Sequence, residues 1–481
     1  MAKKSIIKNY IYNLSYQILT LILPIVTTPY LARVLGATGV GIYGYTFSIC
    51  TYFNLFGSLG VALYGQREIA YNQDNKTKRN KIFYEIILLR FITMAISILI
   101  FIFCFTGKGD YAVYYRILVL ELFATAFDIS WFFQGLEEFK KTVIRNIVVR
   151  IAAVSLVFIF VKKSTDLNKF VLIYSLADLI GNLSLWVYLP KYLKGKKVGK
   201  IHIYKHIIPI LMLFIPQISN QLYKMLDTTM IGKLIPDKSE TGYYEQAQKI
   251  VRLLITIVTS LGTIMIPRIA NTFEKGDNKK IMAYIEDSFC FTFLLSFPMM
   301  IGISCVADSF VPFFFGQGYD KVVILIRVIC PILLLLGIAN VVGTQYLLPT
   351  KRQKEYTNSI MFGVVINFIL NYILILKFKS IGASIATVIS QLAINSIQMY
   401  QVRKEFNFRK IIKSSIKYIL ASIIMGATCI LIYILMKASV KTMIVQIIVG
   451  AFVYAISLIA LRDRFVFELL NKFKRKFAPN S

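Results

Sequence analysis

Fourteen blocks of apolar residues, most of them close to 20 residues long, leave few folds open to this chain. A block of that length matches about 30 Å of bilayer hydrocarbon at the rise of an α-helix. Along the 481 residues they fall at 11–34, 40–64, 82–105, 112–132, 147–161, 170–189 and 207–235, and then at 243–269, 284–307, 322–349, 358–376, 381–400, 418–436 and 442–461. Backbone in hydrocarbon must satisfy its own hydrogen bonds, and blocks this long do so as helices. The expected fold class is therefore an all-α polytopic membrane protein of about 14 transmembrane helices.

The formal charge of +31 would suggest nucleic acid as partner of a soluble domain; here it is topological. With "MAKKSIIK" on the cytoplasmic side, 35 of the 55 Lys and Arg fall in cytoplasmic segments, 10 in the opposite loops and 10 in spans. That asymmetry follows the positive-inside rule and predicts cytoplasmic N- and C-termini. No nucleic acid is expected, and basic loops such as "KYLKGKKVGK" (191–200) are expected to touch the headgroups of membrane lipids. The first apolar run is too long for a signal peptide and no small-residue cleavage pattern follows it, so it stays as the first span. All six cysteines lie in spans with no CxxC pair, which reads as packing. His202 and His206 sit at helical spacing in a basic segment with no carboxylate or cysteine near them in sequence, and read as part of an interfacial helix. Neither metal nor cofactor is expected.

A faint internal repeat divides the chain. At an offset of 201 residues, Thr27 and Thr28 match Thr228 and Thr229, Gly41 matches Gly242, Tyr43 matches Tyr244 and Arg67 matches Arg268. Six spans precede the repeat boundary, so both halves enter the membrane in the same direction. The expected organisation is an N-terminal lobe over 1–189 (spans 1–6), a basic cytoplasmic linker over 190–206, a C-terminal lobe over 207–400 (spans 7–12), and spans 13–14 with a basic tail over 401–481. Pro24 and Pro29 interrupt span 1, and Pro209 and Pro216 interrupt span 7, at corresponding places in the two halves. Matching interrupted helices point to hinges beside a transporter's central site; kinks that merely fit helix packing are the competing reading.

Charges inside spans are costly and mark partners or water. Arg90, Lys224 and Arg252 lie eight or more residues from either predicted span end, too deep for easy snorkelling. Arg33 lies near an end, where snorkelling competes with a site. Asn220 and Gln221 add polar groups beside Lys224. Among the acids are Glu121, Asp178 and Asp227; Asp227 has Lys224 one turn away, so a plain salt bridge competes with a functional role there. Asp178 has no cation within one turn, and an isolated buried carboxylate tends to hold a proton. It is the candidate for proton or sodium coupling, with Asp227 and Glu121 beside it. Deep cations suit a cargo with fixed negative charge, such as a phosphate. The outer loops are short, the longest being 308–321 with only Asp308 and Asp320 as acids, which argues against a membrane polymerase or glycosyltransferase and for a chain that is not an enzyme.

The segments "LPIVTTPYLARVLGATGVGIYGYTFSI" (23–49) and "DISWFFQGLEEFKKTVIRN" (128–146), with "FFFGQGYDKVVILIRVICPI" (313–332), resemble bacterial polysaccharide flippases of the Wzx type. That is the polysaccharide transport family of the multidrug/oligosaccharidyl-lipid/polysaccharide (MOP) exporter superfamily, which also holds the MATE exporters and the lipid II flippase. The resemblance implies two parallel six-helix lobes plus two C-terminal helices, and alternating access through a cationic central cavity. It implies movement of an undecaprenyl-pyrophosphate-linked oligosaccharide repeat unit from the inner to the outer leaflet of a bacterial cytoplasmic membrane, by a protein working as a monomer. Polysaccharide polymerase and glycosyltransferases are possible partners on this resemblance. The "LARVLG" arginine of the family pattern is Arg33; Arg90, Lys224 and Arg252 rest on depth alone. A MATE-like ion-coupled multidrug exporter is the alternative, and it would favour an acidic, aromatic lining.

Overall fold

The computed structural model describes residues 6–193 and 199–468; the side chains of 6–14, 215–217, 219, 220 and 224 lie outside that description. Among the described residues the regular structure is helical throughout. The helices are α1 (Ile6–Ser58), α2 (Val61–Tyr71), α3 (Lys76–Phe105), α4 (Ala112–Ala126), α5 (Ser130–Gly135), α6 (Phe139–Phe160), α7 (Leu167–Trp186) and α8 (Ile207–Leu234), then α9 (Ser239–Val258), α10 (Gly262–Glu274), α11 (Asn278–Phe315), α12 (Asp320–Ile329), α13 (Ile332–Ala339), α14 (Gln353–Gln401), α15 (Phe408–Met436) and α16 (Val440–Ala460).

Ten helical stretches among the described residues are long and apolar enough to cross a bilayer, and eleven when α9 and α10, bent by 43° at a short break, count as one. Two of these stretches hold two crossings each. A straight helix of 53 residues such as α1 would be about 80 Å long, more than twice the hydrocarbon. Its helical backbone breaks at Gly36 (φ 68°), and that of α14, 49 residues long, breaks at Lys379 (φ 54°). Those breaks divide α1 and α14 into segments each long enough to cross, and α8, at 28 residues, is also long enough to span a bilayer. The helix of α1 runs on through Pro24 and Pro29, and Pro209 is the third residue of α8, where a missing N–H costs little. Pro216 lies outside the described side chains.

The chain forms two compact units, residues 1–242 and 243–481. Helix α8, placed by sequence in the second lobe, packs on α1 and α2 of the first unit, and the Thr229 hydroxyl donates to Ser48 Oγ at 2.9 Å and lies 3.1 Å from Tyr52 Oη. Both units turn polar groups inward and apolar groups outward. In the first, Ile92, Ile96, Leu99 and Phe103 form an exposed stripe along α3, Phe103 being 90% exposed. In the second, Asn367, Asn371, Ser384, Ser390 and Gln398 of α14 are buried, with Asn371 donating to Asn367 Oδ1 at 3.0 Å. A surface that apolar would drive association in water; against acyl chains it is solvent-matched, and the hydrogen bonds go between helices.

The segments that carry the family resemblance are packing devices. In "DISWFFQG" the short α5 buries Trp131, Phe132 and Phe133 completely, with Trp131 stacked on Phe83 at 5.6 Å. Gly65 and Gly135 let α2 and α5 meet at backbone distance; a Cβ at Gly135 would stand 2.7 Å from the Gln66 carbonyl oxygen. Replacing Trp131 by Ala empties the largest fully buried side chain and should cost about 3–5 kcal/mol, read as a lower thermal midpoint in detergent; an unchanged midpoint would show the site to be plastic. In "FFFGQGYDK", Gly316 (φ 92°) and Gly318 (φ 83°) make the left-handed turn from α11 to α12.

The histidine expectation needs correction. His206 is buried, its Nε2 3.0 Å from Glu85 Oε2 and its Nδ1 2.7 Å from Tyr64 Oη. The carboxylate lacking in sequence comes from α3, so this histidine belongs to the protein interior rather than to an interfacial helix. The six cysteines are all free.

Candidate functional site

The strongest intramembrane charge constellation in the first unit joins α4, α6 and α7. Arg150 Nη2 of α6 lies 3.5 Å from Asp178 Oδ1 of α7. One turn from Asp178, Asn182 accepts from Arg145 Nη1 at 2.7 Å and donates to the Ala124 carbonyl of α4, also at 2.7 Å. Glu121, three residues earlier on α4, sits within electrostatic reach of both Asp178 and Arg150, and Tyr43 and Tyr174 close the ring. Gly181 brings α6 and α7 close enough for this: a Cβ there would stand 2.8 Å from Val149 Cγ2.

The side chains of Arg150 and Asp178 keep 37% and 25% of their exposure. Fixed charge that open, halfway along membrane-spanning helices, is incompatible with acyl chains and requires water or a polar ligand on that face. Chemically the face offers guanidinium donors for an anion, and two carboxylates one of which already has its counter-ion.

Asp178 is therefore not the isolated acid that spacing within its own helix suggested. Its counter-ion comes from a different helix. Arg150 itself was misplaced by hydropathy: Lys140, Lys141 and Arg145 depress the apolar signal, so the predicted span begins at 147 and puts Arg150 near an end. Helix α6 starts at Phe139, which makes Arg150 the twelfth of its 22 residues. Arg145, read as loop, is in the same helix. A basic helix start is the signal that a longer window over 139–160 would have caught.

Arg90 is a second correction. It was grouped with Lys224 and Arg252 as a passage cation, but it is only 2% exposed, with Nη2 donating to the Thr125 carbonyl at 2.6 Å and lying 3.9 Å from Asp128 Oδ2. Asp128 also accepts from the Ser130 N–H at 2.9 Å, at the start of α5. The pair knits α3 to the α4–α5 turn, and the guanidinium itself is sealed in the packing. Arg33 and Arg252 are exposed on α1 and α9, and Lys249 keeps Glu245 as an electrostatic neighbour. Asp227 is 3% exposed, close to Tyr52 and Tyr223, and Gln221 is half-buried. Lys224 and Asn220 lie outside the described side chains. Among the described residues no group of three or more His, Cys, Asp or Glu is arranged to hold a metal ion.

Apolar-out helices around a wet, charged face define a polytopic membrane transporter. The chain belongs to the polysaccharide biosynthesis protein family, which it matches over residues 6–273, and residues 213–373 match the MatE family. It is 27% identical over 410 residues, 83% of this chain and 97% of the relative, to a putative O-antigen transporter of Escherichia coli K12. A probable low-salt glycan biosynthesis flippase of Haloferax volcanii is 22% identical over 295 residues, 60% of each chain. Among solved structures, the lipid II flippase MurJ in an inward closed conformation superposes with a TM-score of 0.72 at 18% identity, covering 94% of this chain and 99% of that one. An inward-facing multidrug resistance MATE transporter gives 0.61 at 14% identity, covering 79% and 94%. The fold is the one that these two structures share.

Proposed function

We propose that this protein is a flippase that moves a lipid-linked oligosaccharide repeat unit, carried on undecaprenyl pyrophosphate, from the inner to the outer leaflet of a bacterial cytoplasmic membrane for surface polysaccharide synthesis. The observation that carries the reading is the half-open Arg145–Arg150 face within the spans, in a chain whose relatives include a putative O-antigen transporter. A pyrophosphate cannot cross hydrocarbon unaided, because stripping its water costs far more than any contact with lipid returns. Guanidinium groups replace that water with paired donors. The prenyl tail needs no such path and stays in lipid.

In this reading Arg150 and Arg145 meet the headgroup, with Arg33, Lys224 and Arg252 as further cations and Asn220 and Gln221 as polar lining; Arg90 drops out. Asp178 and Glu121 are the candidates for proton or sodium coupling: releasing Arg150 to a phosphate leaves Asp178 without its partner and favours its taking up a cation. Asp227 remains a further candidate. Pro24, Pro29, Pro209 and Pro216 supply bending, and Gly36 a turn. Both termini face the cytoplasm, the monomer is the working unit, and glycosyltransferases stand before it and a polymerase after it in the route.

Deleting the gene should leave lipid-linked repeat units facing the cytoplasm and remove surface polymer, measured by leaflet-selective labelling. Unchanged polymer would end the proposal. The MatE match over 213–373 favours one competitor, a drug exporter; raised sensitivity to organic cations with polymer intact would select it.

A further inference from the structure

A second site lies on the lysine-rich side of the first unit, where the segment joining α7 to α8 leaves and returns. Its outgoing end is fixed by Arg79, 4% exposed, whose Nη2 donates to the Tyr192 carbonyl at 2.6 Å, and by Asn80, which donates to the Leu193 carbonyl at 3.2 Å. Its returning end is fixed by the fully buried Glu85, which accepts from the His202 N–H at 2.8 Å and lies 2.7 Å from Lys205 Nζ and 3.0 Å from His206 Nε2. Burying an arginine and a glutamate is tolerated only where close partners are supplied, as these carbonyls and donors are. Both ends of the segment are thus tied to the first three turns of α3.

Between the tied ends opens a groove of about 780 Å³. It is lined by apolar and aromatic side chains alone, among them Phe83, Tyr84, Phe91, Trp186, Leu193 and Ile201. Trp and Tyr gather at the boundary between hydrocarbon and headgroups, which sets the groove at that level. Two exposed lysines flank it: Lys191 follows the lining residue Pro190 and Lys200 precedes the lining residue Ile201, one Cα–Cα step of about 3.8 Å away in each case. Glu85 of α3, which holds the returning end, is already engaged by His202, Lys205 and His206.

We infer that this groove binds an anionic phospholipid, with an acyl chain against Trp186 and Phe91 and the phosphate on Lys191 and Lys200. An apolar slot with cations at its rim complements that amphiphile and not a zwitterionic one, as basic pockets between helices on the cytoplasmic side do. The site is distinct from the Arg150 face and does not depend on the identity of the cargo.

The chain has two tryptophans, and Trp131 is fully buried, so the signal lost in Trp186→Phe reports the groove. In phosphatidylcholine vesicles, brominated phosphatidylglycerol should quench that signal at a roughly thirty-fold lower mole fraction than brominated phosphatidylcholine, the scale two basic residues near a surface give. Lys191→Gln with Lys200→Gln should abolish the preference, while Lys413→Gln with Lys417→Gln, far from the groove in sequence and in the other unit, should leave it. Equal quenching by the two lipids overturns the site, as does a preference that survives the first pair of substitutions. Displacement of the bromolipid by a prenyl phosphate but not by unlabelled phosphatidylglycerol would overturn the phospholipid assignment and give the groove to the cargo's tail.

Discussion

Arg150→Ala should cut export of lipid-linked repeat units about 10- to 100-fold while the protein remains folded. The loss corresponds to one charge-assisted hydrogen bond to the headgroup, about 1.5–3 kcal/mol. Deleting one member of a fully buried pair destabilises by about 3–5 kcal/mol, but water reaches both Arg150 and Asp178, so the structural cost here falls toward about 1 kcal/mol. Arg90→Ala should do the reverse. That guanidinium is buried against the Thr125 carbonyl and beside Asp128, and its removal opens a void in the helix packing and takes away the carbonyl's side-chain donor and the carboxylate's counter-ion, at about 3 kcal/mol. The checks are export per folded molecule and the thermal midpoint of each purified variant. Normal export by Arg150→Ala, or a stable but inactive Arg90→Ala, would reverse the two roles. Asp178→Asn separates pairing from coupling: if Asp178 carries the coupling ion, export loses its dependence on the pH or sodium gradient, and if it serves only to hold Arg150, the gradient dependence is retained.

The second large effect is expected at Gly41 and Gly242, the two glycines related by the 201-residue offset. They meet inside the first unit. A Cβ on Gly41 would fall inside the contact radius of the Lys238 carbonyl oxygen and 2.8 Å from the Gly242 nitrogen, and one on Gly242 would run into the Ala37 carbonyl. The obstacles are backbone atoms, which cannot turn aside as a side chain can. Gly41→Ala and Gly242→Ala should each cost about 3 kcal/mol, at the upper end for overpacking, seen as poor assembly and a lowered midpoint. Gly107→Ala is the control, since nothing lies within 4 Å of a Cβ there. A tolerated alanine at both positions would mean that the turn from 35 to 41 and the segment 235–242 separate easily.

Particular residues show how far the sequence carried. The glycines of the repeat were visible as identities at a fixed offset, yet nothing in an offset says that they touch. Helix α6 was visible as an apolar run, but its basic first turns hid where it starts, and with that the depth of Arg150. Arg90 was rightly read as deep and needing a partner; depth does not distinguish a backbone carbonyl from a wet cleft. The carboxylate that holds His206 lies 121 residues away on α3, out of reach of any spacing rule.

By itself the sequence determined the helical class, the membrane-spanning character and the family, because hydropathy and hydrogen-bond satisfaction in lipid are properties of one segment at a time. Tertiary structure alone decided which charges meet: Arg150 with Asp178, Arg90 with Thr125 and Asp128, Glu85 with His206. The physical reason is that a helix's rotation about its own axis is set by packing against its neighbours, and a change of half a turn carries the same arginine from a sealed seam to open water.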